Sequence, residues 1–334
     1  MKGLELVDIV FGYEKGIPIL EGLDLRVEVG EIASLLGSSG SGKTTVLNLI
    51  AGFLRPTKGR IILNGKEITD LPARKRGVGF VFQDYALFPH MNVEKNISYG
   101  IKSGTRRSRE VVRDLLGSVG LKGYGKRSIS ELSGGEKQRV ALARTLAYDP
   151  KIVLLDEPLS ALDARLREEL RGDVRNILKE KDVTALYVTH DQMESISISD
   201  TVHFLKNGKI HESGNPVDIY RRPTRLETAS FMGVENIIDT SYLSENEFDL
   251  ITGRPAHQKI GFRPENATLE KDVDGLSIKG SIRKCDFRGR DYHVVVGLDD
   301  GSSISVFLDD KGNLTKGSEI EIKVPWERIF PLSD

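Results

Sequence analysis

Apolar and polar residues alternate from Leu4 to Tyr13 and again from Leu23 to Glu31, where Leu23, Leu25, Val27 and Val29 share one face. A period of two predicts half-buried strands. Residues 60–68 hold the turn pair Asn64-Gly65 between apolar runs, which predicts a hairpin. The runs Gly77 to Gln83, Lys151 to Glu157 and Thr184 to Thr189 are apolar almost throughout, as in strands covered on both faces. Helical spacing lies between them. Leu166, Leu170, Val174, Ile177 and Leu178 fall on one face of a helix expected from Ala164 to Lys181, and Gly135 to Ala147 reads as another. Residues 84–125 read as helices and loops, with Arg106, Arg107 and Arg109 as a solvated helix start. Strands alternating with helices predict a parallel sheet covered on both faces, with an antiparallel β layer beside it. Beyond Val234 the helical signals stop. Tyr292 to Leu298, the Asp300-Gly301 turn and Ser303 to Leu308 predict a hairpin, and Ser318 to Val324 alternates strictly. The expected organisation is an α/β domain over 1–235, with a helical subdomain at about 84–145, then a small all-β, barrel-like domain over 236–334.

Composition narrows the function. A length of 334 residues suits two domains, and 39% hydrophobic with 29% charged residues describes an ordinary globular chain. A net charge of −1 argues against a nucleic-acid partner, which calls for a basic excess. The one cysteine, Cys285, excludes an intramolecular disulfide and reads as a small strand residue. Acids interrupt the apolar residues between Met1 and Asp8, unlike a secretory signal. No apolar run approaches the ~20 residues of a membrane-spanning helix. A cytosolic chain is expected, with any membrane role supplied by a partner.

One stretch then organises the rest. Gly37, Ser38, Ser39, Gly40, Ser41, Gly42, Lys43 and Thr44 fit the pattern G-x-x-x-x-G-K-[ST], and Thr45 follows. An apolar run, Glu31 to Leu36, precedes the pattern, and a helical one, Val46 to Gly52, follows it. The glycines let backbone N–H groups turn inward around an anion at a helix N-terminus. Lys43 is expected on the β- and γ-phosphates, with the Thr44 hydroxyl on Mg²⁺. Asp156, after four apolar residues, belongs at the end of a central strand, where it can hold the metal through water; Glu157 beside it can polarise a water. Leu132 to Glu136 sets Ser133, Gly134 and Gly135 before a helix, a second anion site of the same kind. Two such sites meet on one phosphate most simply in a symmetric head-to-tail pair of chains.

These stretches together resemble the nucleotide-binding subunits of ATP-binding-cassette (ABC) transporters. Leu132 to Glu136 resembles the family's signature, Gln83 its Q-loop glutamine, Ser160 to Asp163 its D-loop and His190 its switch histidine. Tyr13 stands where members stack an aromatic ring on adenine. The resemblance implies a P-loop NTPase cassette: a mixed sheet, an antiparallel β subdomain and a helical subdomain. It implies ATP and Mg²⁺ as cofactors, with Thr44, Gln83 and Asp156 at the metal. Glu157, His190 and Gln83 would serve catalysis; residues 37–45, Tyr13, Ser133 to Gly135 and Asp163 would surround the nucleotide.

Gly261 to Asn266, with the β-rich tail, and Tyr85 to Val93 resemble bacterial and archaeal import ATPases bearing a C-terminal TOBE/OB-like domain. That branch serves sugars, ferric iron, polyamines, sulfate and molybdate. Residues 231–236 lack the proline-rich joint usual in the sugar importers, and Glu136 replaces their common glutamine, so an inorganic ion or polyamine is the expected cargo, with sugar next. The implied partners are a second copy, integral membrane permease subunits at the cytoplasmic face, and indirectly a solute-binding protein. The alternative is an ABC ATPase of repair or translation; those usually carry two cassettes or a long coiled coil, whereas this chain has one phosphate loop and no sustained heptads.

Overall fold

The computed structural model describes residues 2–14, 16–101, 106–240, 243, 251, 259–270, 272–309 and 314–334, without the side chains of residues 2, 106 and 107. It divides into two compact units, Met1–Pro216 and Val217–Asp334. In the first, the elements run β1 (Lys2–Phe11), β2 (Leu20–Glu28), β3 (Ile32–Leu36), α1 (Lys43–Ala51), β4 (Lys58–Leu63), β5 (Lys66–Glu67) and β6 (Val78–Val81). Then come α2 (Val93–Ser98), α3 (Arg106–Ser118), α4 (Gly134–Leu146), β7 (Ile152–Asp156), α5 (Ala164–Glu180), β8 (Ala185–Thr189), α6 (Gln192–Ile198), β9 (Thr201–Lys206) and β10 (Lys209–Gly214). The basic cluster at the start of α3 lies partly outside the described side chains; Arg109 is exposed.

Two sheets carry this unit. One has the order β2-β1-β4-β5 and is antiparallel; the other has the order β10-β9-β3-β8-β7-β6, parallel except where β10 turns back on β9. The Asn64-Gly65 turn has both residues at positive φ, 49° and 74°, which suits a tight hairpin between β4 and β5. Side chains along a strand point to opposite faces, so each apolar run is divided between two cores. Ile152, Leu154, Leu186 and Val188 join β1, β2 and the Val46, Leu47 and Ile50 face of α1. Val153, Leu155, Ala185 and Tyr187 join Val140, Leu142, Leu170 and Val174 of α4 and α5. Helices α1 and α4 therefore cover opposite faces of the parallel sheet.

The second unit begins with α7 (Pro216–Arg221) and α8 (Leu226–Phe231), whose first residue still falls in the first unit. Strands β11 (Asn236–Asp239), β12 (Lys259–Phe262), β13 (Gly275–Phe287), β14 (Tyr292–Gly297), β15 (Ser303–Leu308), β16 (Glu319–Pro325) and β17 (Phe330–Leu332) follow. They form antiparallel sheets of order β11-β12-β17 and β15-β14-β13-β16 around one core that includes Ile260, Phe262, Ile282, Val294, Val306 and Ile322. The unit starts ahead of residue 236 because Ala229 of α8 packs on Val234, Phe330 and Leu332. Arg263 reinforces this: buried, it stacks 3.7 Å from the Tyr220 ring and donates to the carbonyls of Tyr220 and Met232.

The C-terminus of α1 is closed by a residue from the approach to β6. Arg76, 3% exposed, donates to the carbonyls of Leu49 (2.6 Å) and Ile50 (2.9 Å). It also reaches those of Leu71 (2.7 Å) and Thr69 (2.7 Å). A cation there satisfies orphan carbonyls and opposes the negative end of the helix dipole. Gly52 caps the helix at φ 86°, and a Cβ on it would lie 2.5 Å from Arg76 Nε. Arg76→Ala leaves these acceptors buried without a donor, so the first unit loses roughly 3 kcal/mol or more. Urea denaturation checks this; a loss below about 1 kcal/mol would contradict the account.

Candidate active site

The carboxyl ends of β3, β7 and β8 lie side by side, because Leu36 pairs with Thr189 and Asp156 with Val188 in parallel register. Each strand delivers chemistry at its end. After β3 the chain turns through Gly40 (φ 81°) and Gly42 (φ 103°) into α1, a conformation that side chains with a Cβ rarely adopt. Gly37 is fixed by crowding: a Cβ on it would lie 2.2 Å from the Leu205 carbonyl oxygen. Ser38 and Ser39 are exposed, while the Ser41 hydroxyl is buried with no hydrogen-bond partner among the described residues. A buried hydroxyl of that kind suits a missing acceptor.

Lys43 is buried and folds back on the loop, donating to the carbonyls of Gly37 (3.0 Å) and Ser38 (2.8 Å). Burial lowers its pKa, while the Glu157 and Asp156 carboxylates pull it back up. Thr44 Oγ1 donates to Asp156 Oδ1 at 3.2 Å, joining the start of α1 to the end of β7. Thr45 bonds the Tyr13 hydroxyl at 3.3 Å; that ring stands edge-on to Phe11 and is 62% exposed, leaving it free to receive a planar ligand.

Glu157, the next residue after β7, sits at φ 43°, a left-handed conformation uncommon for a glutamate. Three hydrogen bonds hold it there: its N–H donates to Val188, and its carbonyl accepts from the backbone and hydroxyl of Ser160. The turn aims its carboxylate at the end of β8, where Oε1 lies 3.0 Å from His190 Nδ1. Asp156, Glu157, Lys43, Thr44 and His190 are thereby gathered at one edge of the sheet. Gln83 lies beyond the end of β6 at the same edge and is exposed.

Ser133 and Asp163 hold helix ends. The Ser133 hydroxyl caps α4 by accepting from Glu136 N (3.3 Å), and Glu136 Oε2 accepts from Ser133 N (2.8 Å). This reciprocal cap escaped the sequence reading, although Ser-x-x-Glu is its signature. The Ser133 N–H bond lowers the Glu136 pKa most, so this carboxylate is ionised at neutral pH. Gly134 and Gly135 leave room for Leu162 and Leu170: a Cβ on either would lie within 2.8 Å of those side chains. Asp163 caps α5 through Leu166 N at 3.0 Å.

A family model described as ABC transporter matches residues 20–160, and one described as TOBE domain matches residues 260–332. The chain is 39% identical to the spermidine/putrescine import ATP-binding protein PotA of Mesoplasma florum, over 98% of each chain. It belongs to the ATP-binding subunits of ABC transporters. It is also 38% identical to the sulfate/thiosulfate import ATP-binding protein CysA of Synechocystis sp., over 93% of this chain and 90% of that one. Among solved structures, the ATP-binding cassette MJ0796, dimeric in a post-hydrolysis state with ADP and Pi, aligns with TM-score 0.56 and 29% identity, over 64% of this chain and 98% of that one. The fold is accordingly the ABC ATPase cassette with a C-terminal all-β TOBE domain, and the chain is an ATP-binding ATPase.

Within this ABC ATPase the acids carry a cost. Burial raises the Asp156 pKa first, the Thr44 hydrogen bond opposing it and Glu157 adding to it. A folded-state pKa above the unfolded one means that stability falls as pH rises through the folded value. Above the unfolded carboxyl's pKa the partly buried Asp156 is thus a net burden on the nucleotide-free chain. Asp156→Asn keeps an acceptor for Thr44 and should raise the melting temperature by about 1–3 °C near pH 7.5 while hydrolysis falls. A lowered melting temperature in calorimetry would contradict this sign.

Proposed function

We propose that the chain powers solute import by hydrolysing ATP as a homodimer bound to separate membrane permease subunits. One observation carries the reading: Thr44–Asp156 and Glu157–His190 converge at the ends of adjacent parallel strands that also hold the phosphate loop. Residues 37–45 would cradle the phosphates with Tyr13 against the base. Thr44 and Asp156, aided by Gln83, offer hard oxygen donors for Mg²⁺, which usually takes only one or two protein ligands besides phosphates and waters. Bound there, the metal would supply charge neutralisation on the β- and γ-phosphates.

Lys43 would exchange its loop carbonyls for phosphate oxygens. Glu157 would orient and polarise the attacking water, with His190 fixing the carboxylate and facing the γ-phosphate. Helices α1 and α4 cover opposite sheet faces, which supports Ser133, Gly134 and Gly135 serving the phosphates of a second copy, with Asp163 sensing the neighbouring site. ATP then closes the pair because it touches both copies only when they are shut.

The domains in this reading are a cassette over 1–235, its helical subdomain at about 84–145, and a regulatory domain over 236–334. No helix among the described residues is long and apolar enough to cross a membrane. The exposed aromatic Tyr99 supports a permease contact within residues 83–132, at the cytoplasmic face. Names of the relatives favour a polyamine or inorganic ion as cargo, sugar next, delivered to the permease by a solute-binding protein.

Glu157→Gln should slow ATP turnover roughly a hundredfold or more and leave an ATP-dependent dimer in size-exclusion runs. Monomer alone with ATP, or near-normal hydrolysis, would sink the assignment. Lys43→Ala should weaken ATP binding by about tenfold or more, since a charge-assisted contact is lost. An unchanged titration would remove Lys43 from the site.

A further inference from the structure

Arg167 lies on the first turn of α5, outside the residues gathered at the sheet edge, yet its guanidinium meets three residues on two separate stretches. Nη2 donates to the Leu162 carbonyl at 3.0 Å. Nη1 lies 3.6 Å from Asp191 Oδ2, and Nε lies 3.8 Å from Glu194 Oε1. Leu162 immediately precedes Asp163, and Asp191 immediately follows His190.

The acids it meets are themselves fixed. Glu194 is 2% exposed, and its other oxygen accepts from the Tyr187 hydroxyl (2.9 Å) and the Thr189 hydroxyl (2.8 Å), both on β8. Asp191 caps α6 by accepting from Glu194 N, and its own N–H donates to the Thr189 hydroxyl. The stretch from Thr189 to Glu194 is therefore one rigid block with His190 inside it. One hydrogen bond to the carbonyl and two longer ion-pair contacts to carboxylates spread over a planar guanidinium, a reach that a point charge lacks. Among the described residues Arg171, one turn on, pairs with Asp191 (3.3 Å) and not with Leu162, so it offers a built-in comparison.

We infer that Arg167 is a positioning residue that locks the segment ending in Asp163 to the block carrying His190, so that docking of the second copy and alignment of the histidine occur together. The inference rests on the proposed homodimer. Coupling of this kind needs an element that both sites bias, and Arg167 is where the two stretches share one group.

The test measures three quantities in the full chain: ATP affinity of the monomer, ATP-driven dimerisation in the Glu157→Gln background, and kcat in the native background. Arg167→Ala should leave monomer ATP affinity and KM within about twofold while weakening dimerisation and lowering kcat each by about fivefold or more, the lower range of ordinary site-to-site coupling. Arg167→Lys, which keeps charge and stem, should show the same split if alanine proves unstable. Arg171→Ala should leave both quantities near those of the parent. Equal losses in the Arg167 and Arg171 variants, no loss in either, or a joint fall of monomer affinity and melting temperature in both Arg167 variants would overturn the inference. Failure of Glu157→Gln itself to dimerise would instead strike at the homodimer.

Discussion

A parallel sheet buried on both faces is the constraint from which the rest of the first unit follows. Its strands contribute one side chain in two to each core, so helices must cover both sides. With the faces sealed, the polar work falls to the edge where strands end. In open α/β sheets that edge is where crossovers leave room for a ligand. Here it receives the N-terminus of α1 from β3, two acids from β7 and a histidine from β8. The apolar walls also sharpen the charges, since an interaction weakly felt in water grows as solvent is withdrawn. Lys43 and Asp156 both feel burial as the largest influence on their protonation, in each case against the charged form.

The molecule handles buried charge in two ways. Arg76 and Arg263 donate to backbone carbonyls and serve packing. Around the phosphate loop the groups are met only in part: a lysine bent onto its own loop, a serine hydroxyl without a partner, a glutamate at φ 43°. Strain and incomplete pairing of this kind persist where function requires them and are offset by the surrounding structure. Arg76 is part of that offset, because it grips the far end of the helix that starts at the phosphate loop.

Short-range signals made much of this legible in the sequence. The apolar runs located β6, β7 and β8; the phosphate-loop pattern located α1; and Asn64-Gly65 located a hairpin that the structure contains. The sequence reading passed over β10 and the long β13, because Gly, Ser and charged residues break the apolar pattern of Lys206 to Ser213 and Ser277 to Arg283; it also passed over β9, whose Val202 to Leu205 run was readable. It also passed over α7 and α8, each only six residues long and too short to establish a helical period. Arg76, Arg167 and Arg263 were out of reach for a different reason. Their partners are backbone carbonyls or distant acids, and a carbonyl leaves no mark in a sequence. The Ser133–Glu136 capping box was readable from its Ser-x-x-Glu spacing.

That capping box bears on how the open chain behaves. In the lone chain the Ser133 N–H is taken by Glu136, and the Ser133 oxygen by Glu136 N, so the helix end is already partly satisfied without a phosphate. Such a cap contributes about 1 kcal/mol to the helix. What remains for an incoming anion is the Ser133 hydroxyl proton and the N–H groups of Gly134 and Gly135, which have no acceptor within the helix. The ionised Glu136 beside them opposes a γ-phosphate, though solvent screens much of that repulsion at an exposed position. A glutamine there would keep the same reciprocal bond without the charge. The acid thus stabilises the helix start and weakens its pull on an anion, so in the proposed dimer closure would draw on contacts elsewhere in the interface. Asp163 and the Arg167 fork behind it stand where such contacts would be set.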